Sequence, residues 1–321
     1  MKFSGIAVAT AVFLAASGAL AQGVLSNRTI RIISPAPPGG STDIVSRLVA
    51  PALQEGLKQT VIVEAKGGAG GYIGSEYVTK QPADGHTLLL GGAFTAITAS
   101  LQKNPSYDPA KDLVPVAIVA SVPNLLVAGP RLKANSVAEL VAQAKARPGD
   151  LNFGSNGVGT TIHLTGELFK LRTGIDIVHI GYKGWADCVR GLTGSEVDMM
   201  FDNLNTALPN ISAGKIRPLA VAALKRHRSL PDVPTFGELG IKDAEVTSFF
   251  GIMVPAGTPQ AIIDRMGDLI RAHTASDEFQ KLVHAQGLDV DFRGPADAGK
   301  FWQSEVGKWR AVVKASGLVQ Q

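Results

Sequence analysis

The chain is short of several things, and each shortage narrows what it can be. Cys188 is the only cysteine in 321 residues, so no internal disulfide can form and stability has to come from packed apolar residues. Only 18% of residues are charged and the formal net charge is +4. The one basic cluster, Lys225-Arg226-His227-Arg228, reads as a solvated helix end. With no basic stripe, nucleic acid is excluded as a partner. After residue 21 no apolar run is long enough to cross a bilayer.

Signatures of chemistry are missing too. Gly68, Gly71 and Gly74 recur every third residue, which is not G-x-G-x-x-G, and no Gly-Lys pair is followed by Ser or Thr. Ser155 sits in Gly154-Ser155-Asn156-Gly157, one residue short of the G-x-S-x-G elbow. His163 and Glu167 lie one helical turn apart, but two ligands do not make a zinc site. No cofactor and no metal are expected. The enzyme alternative is a secreted serine-dependent hydrolase of a small ester or amide, using Ser41 or Ser155 with a histidine.

What is present is glycine, proline and alternation. The chain holds 36 Gly and 18 Pro, and its length allows two domains with real cores. Lys2, the apolar stretch 6–16 and Ala19-Leu20-Ala21 have the order of a secretory signal peptide, residues 1–21, cleaved after Ala21. Beyond it, β-branched runs at 29–34, 61–64 and 87–90 alternate with helical spacing such as Ile44, Val45, Leu48, Val49, Ala52 and Leu53. A second set begins near 124–128 and continues with strands at 151–154, 177–180, 197–201 and 218–222. This rhythm predicts an α/β fold with parallel strands and helices on both faces. Capping boxes are expected at Ser136–Glu139 and Thr235–Glu238, and a helix start at Thr258-Pro259. Trp302, Val306, Trp309 and Val313 fall on one helical stripe and are expected to pack in a core.

Three segments share a design: a strand end, a turn rich in glycine and hydroxyls, then a helix start. They are Pro35-Ala36-Pro37-Pro38-Gly39-Gly40-Ser41-Thr42-Asp43, Lys66-Gly67-Gly68-Ala69-Gly70-Gly71 and Gly154-Ser155-Asn156-Gly157-Val158-Gly159-Thr160-Thr161. Free N–H groups at helix starts, with the dipole behind them, bind anions without a cationic side chain. Ser41, Ser155 and Thr160 offer hydroxyls as well. Asp43 would repel a carboxylate and is expected to serve its own helix start.

These segments resemble the substrate-binding proteins of tripartite tricarboxylate transporters, the Bug receptors. Residues 35–43 look like the family's P-[FY]-x-x-G-G-x-x-D signature, and 64–74 its glycine loop. Ala83-Asp84-Gly85, Tyr107-Asp108-Pro109, Tyr182-Lys183-Gly184 and Met200-Phe201-Asp202 continue the match along the chain. The resemblance implies a periplasmic-binding-protein-like fold, with two α/β domains and a ligand cleft between them. Domain 1 is expected from 22–122 plus 247–321, and domain 2 from 123–246. It implies a periplasmic, extracytoplasmic solute receptor, not an enzyme, that binds a small carboxylate for uptake or sensing. A two-component membrane permease is the implied partner, and a monomer is expected. Ligand contacts are expected from Ala36, Pro37, Gly39, Ser41, Gly68, Ala69 and Gly70 on one side. Ser155, Gly159, Thr160, Gly184, Trp185, Asp187 and Asp202 are expected opposite them.

Two departures bear on the ligand. Ala36 stands where the family has Phe or Tyr, and Trp185 and Asp187-Cys188 follow Gly184 where it commonly has a Pro-Ala pair. A ligand with one carboxylate and either a ring or an ammonium group suits these changes.

Overall fold

The computed structural model describes residues 25–316; the expected signal peptide lies outside the described residues. The described residues open with β1 (Ile30–Ser34), α1 (Ser41–Leu57), β2 (Val61–Ala65), a 3-10 turn (Ala69–Gly71), α2 (Tyr72–Thr79), β3 (Thr87–Gly92), α3 (Ala93–Leu101) and the short α4 (Pro109–Asp112). β4 (Leu113–Ala128), α5 (Val137–Ala146), β5 (Asn152–Ser155), α6 (Thr161–Thr173), β6 (Val178–Gly181), α7 (Trp185–Thr193), β7 (Met199–Asn203), α8 (Leu204–Ser212) and β8 (Arg217–Val221) follow. The chain closes with β9 (Thr247–Pro255), α9 (Gln260–Thr274), α10 (Asp277–Ala285), β10 (Asp289–Arg293) and α11 (Pro295–Ser316).

The strands run in the order β2-β1-β3-β9-β4-β7-β5-β6, with β8 and β10 also paired to β4. The alternating rhythm predicts parallel pairing, and β1 with β2 and β3, and β5 with β6 and β7, are parallel. The centre is not: β9 is antiparallel to β3 and β4, and β4 is antiparallel to β7 and β8. The expected strand at 124–128 is the far end of the 16-residue β4. Residues 113–123 of β4 pair with β9, while 124–128 pair with β7 and β8. The return crossing lies beside it, where Asn124 N donates to Val246 O and Val246 N to Ala222 O.

Neighbouring residues of a strand point to opposite faces, so each half of the sheet feeds two cores. In the first half Ile32, Leu88 and Ile252 pack with α1 and α9 residues such as Val49 and Met266, and Ile33, Leu89 and Met253 pack with Ile97 and Trp302. In the second half Leu126, Phe153 and Phe201 pack with Phe169, and Leu125 and Met200 with Cys188 and Leu192. The stripe Trp302, Val306, Trp309 and Val313 is buried on α11, as its spacing predicts.

Two local expectations are corrected, and a third, the capping box at Thr235–Glu238, forms without a helix behind it. The segment 225–228 is not a helix end: Arg226 pairs with Glu238, Arg228 with Asp289, and His227 is buried. Thr235 and Glu238 form the reciprocal capping bonds, Thr235 N to Glu238 Oε2 at 2.7 Å and Glu238 N to Thr235 Oγ1 at 3.1 Å. Yet only turns follow them, because two cap bonds cannot meet the cost of nucleating a helix alone. At α9 the cap position is Pro259; Thr258 instead donates its hydroxyl to Pro255 O at 2.8 Å.

Candidate ligand-binding site

Between the two halves lies a cavity of about 900 Å³. Its wall holds the first residues of α1, α2, α3, α6 and α7, together with Asn203, which precedes α8. The first N–H groups of a helix have no intrahelical partner, so this wall is a concentration of unpaired donors and positive dipole ends. Lys183 is the one charged residue in the wall, and no Asp or Glu is there among the described residues. An anion is the group such a wall accepts without repulsion.

Of the residues expected at the site, Ala36, Pro37, Ser41, Gly68, Ala69, Gly70, Thr160, Gly184 and Trp185 line the cavity. Gly39 lies just behind the wall, where an added Cβ would be 4.0 Å from the Trp185 ring. Gly159 donates its N–H to His163 Nδ1 at 3.3 Å and supports the loop from behind. Asp43 accepts from Gly39 N and from Arg47 Nε, serving its own helix start.

Ser155, Asp187 and Asp202 do not line the cavity. The buried hydroxyl of Ser155 is bonded to His179 Nε2 at 2.6 Å and accepts from Gly157 N, which braces the loop. Asp187 pairs with Arg190 at 2.9 Å. Cys188 is buried with its Sγ 3.4 Å from Met200 Sδ, and burial pushes its thiol up rather than down. Asp202 is fully buried and accepts from Trp185 Nε1 at 3.0 Å, Thr206 Oγ1 at 2.8 Å and Asn203 N at 2.8 Å. It therefore sets the position of the Trp185 ring. Burial raises its pKa to about 7, against the pull of those hydrogen bonds.

Sequence reasoning missed the cavity's deep end. Ser41 accepts from Asn203 Nδ2 and donates to Asn205 Oδ1, both at 2.8 Å. Ser248 on β9 reaches Asn203 Oδ1 at 3.0 Å, Asn124 Oδ1 at 3.2 Å and Thr161 Oγ1 at 2.7 Å. A hydroxyl donates once, so Thr161 donates to Ser248 and Ser248 to one of the two amides. This network joins α1, β4, α6, β7, α8 and β9, and nothing local in the sequence announces it. Phe94 and Thr98 on α3 were legible in principle: Gly91-Gly92-Ala93-Phe94-Thr95 repeats the glycine–hydroxyl design of the other loops.

His163 and His179 stack behind the 155–160 loop with ring centroids 4.0 Å apart. Burial lowers both to about 4, aided at His163 by Lys170 and at His179 first by His163. Both are neutral in the fold at pH 7, and the stability this gives is present above about 6.5 and lost as pH falls towards 4. Asp202 has the opposite sign: its contribution is full at low pH and lost as pH rises through about 7. For His163 the effect is on the order of 3 kcal/mol. Thermal melts from pH 7 to 4 are expected to show a steep loss of stability, and His163→Gln, which keeps an acceptor for Gly159 N, to flatten it. An unchanged profile in the variant would remove His163 from this role.

Two α/β halves around an anion-accepting cavity define a solute-binding receptor of the periplasmic-binding-protein kind. The profile of the family described as "Tripartite tricarboxylate transporter family receptor" matches residues 45–318, and the chain belongs to that family. It is 37% identical to Protein BugT of Bordetella pertussis over 99% of both chains. Among solved structures it is similar to an R. palustris protein with adipate (35% identity, TM-score 0.87, covering 91% of this chain and 98% of the other). It is also similar to MatC from Rhodopseudomonas palustris with bound malate (27% identity, TM-score 0.85, covering 90% and 99%).

Proposed function

We propose that this chain is an exported receptor, cleaved after Ala21 and held in the periplasm, that closes over a small carboxylate and delivers it unchanged to a two-component membrane permease. The observation that carries the reading is the cavity wall: helix starts from both halves, one lysine, and no carboxylate among the described residues. The adipate and malate of the two related structures support the ligand class. The two halves, 22–122 with 247–321 and 123–246, move as separate bodies about the paired crossings at 123–124 and 246–247. No catalytic step is assigned. Of the two serines the hydrolase alternative names, Ser155 is bonded to His179, but that serine is buried behind the loop.

The test is to purify the protein from a periplasmic fraction, confirm Gln22 as its first residue, and screen carboxylates by thermal shift. A bound acid is expected to raise the melting temperature and to be recovered intact by mass spectrometry. No response to any carboxylate, or recovery of a converted product, would overturn the reading.

A further inference from the structure

We propose, resting on the receptor reading above, that the preferred ligand is a carboxylate with a flat apolar body, an aromatic monocarboxylate, rather than a short dicarboxylate. Three observations lead there. The first is size. The cavity of about 900 Å³ is at the upper end of the roughly 300–1,000 Å³ that encloses drug-sized ligands, and a four-carbon diacid would leave most of it wet.

The second is the division of the wall by depth. Ser41, Thr161, Asn203 and Ser248 are buried and form the deep end with the starts of α1, α6 and α8. Their side chains are largely spent on one another, so a carboxylate there is gripped by main-chain N–H groups. Towards the mouth the wall is partly exposed and mostly apolar, with Ala36, Tyr72, Phe94, Val158 and Trp185. Lys183 alone stands there for a second carboxylate.

The third is the placement of two rings along one loop. A Cβ on Gly71 would meet Phe94 Cδ2 at 2.8 Å and Pro35 O at 3.5 Å, while Cβ atoms on Gly39 and Gly40 would meet Trp185 at 4.0 and 3.8 Å. The loop that carries Ala36 thus runs from beside Phe94 to beside Trp185, and the small methyl of Ala36 leaves room between. Asp202 fixes the Trp185 indole through Nε1, so the ring is a preset surface for stacking. An ammonium group finds no carboxylate in the wall among the described residues, since Asp187 lies outside it and pairs with Arg190. The wall therefore favours the ring over the ammonium.

Calorimetric titration of the mature chain with benzoate, 2-naphthoate, succinate, malate and adipate tests this. An aromatic acid is expected to bind at least about tenfold more tightly than malate or adipate. Trp185→Ala and, separately, Ala36→Phe are expected to bring that ratio towards one, the first by removing the surface and the second by filling the space. Tighter binding of succinate, malate or adipate than of either aromatic acid would overturn the inference and leave the carboxylate receptor standing. Equal losses for all five acids in both folded variants would also overturn it. Binding of none of the acids would remove the receptor reading itself.

Discussion

Gly70→Val is expected to lower carboxylate affinity by about 100-fold or more, a loss of roughly 3 kcal/mol, without unfolding the protein. Gly70 has φ +65, and a Cβ there would lie 2.4 Å from Val158 O and 3.0 Å from Thr98 Cγ2. Val158 belongs to the opposite half, so the added side chain wedges the two glycine loops apart. A β-branched residue also strains that backbone conformation. Because the loop is outside both cores, the cost falls on closure rather than on folding. Ser155→Ala should do less, about 1–2 kcal/mol, since its hydroxyl braces the loop and does not line the cavity. Calorimetry on both variants ranks them, and small-angle scattering should show Gly70→Val failing to compact on adding ligand. Wild-type affinity in Gly70→Val would mean that these loops need not meet for binding.

The second large effect is on stability. Trp302→Ala should cost about 3–5 kcal/mol, the range for truncating a buried large aromatic side chain. The ring is fully buried between α11 and β9, 6.4 Å from the Phe249 centroid, and its Nε1 donates to Pro109 O at 2.8 Å. Removing it leaves a cavity and a carbonyl without its donor. Urea unfolding should show a lower midpoint, while ligand affinity measured well below that midpoint should hold. A cost under about 1 kcal/mol would mean that α11 collapses into the space.

Much of this molecule is legible one segment at a time. The burial of Trp302, Val306, Trp309 and Val313 follows from helical spacing, and the glycine turns at 35–41, 66–71 and 154–161 show themselves as strand-to-helix junctions. What local pattern cannot carry is which strand lies beside which. The antiparallel centre made by β4 and β9 depends on residues more than a hundred positions apart, and the bond network through Asn124, Asn203 and Ser248 spans separations of 45 and 124 positions. Asp187 was within reach: two residues beyond Trp185 on a helix is about 200° around it, so one ring facing the cavity turns the other side chain away. The mistaken helix end at 225–228 shows that a run of charge says little about backbone shape when its two arginines have distant partners to meet.

The path of β4 and β9 also fixes the order in which the molecule can be finished. The far end of β4 and β5 to β8, on one side of the sheet, come from one uninterrupted stretch of chain. The other half takes β1–β3 from the beginning of the chain and β9, α9, α10 and α11 from its end. A chain emerging with its N-terminus first can therefore complete the later-numbered half while the earlier-numbered one still lacks a central strand. Until α11 arrives, Ile97, Leu113 and Ile118 have no Trp302 or Val306 to cover them. Such long-range closure is slow and leaves apolar surface open in the meantime. The first strands to be made thus wait for the last strand and helices before their own half can close.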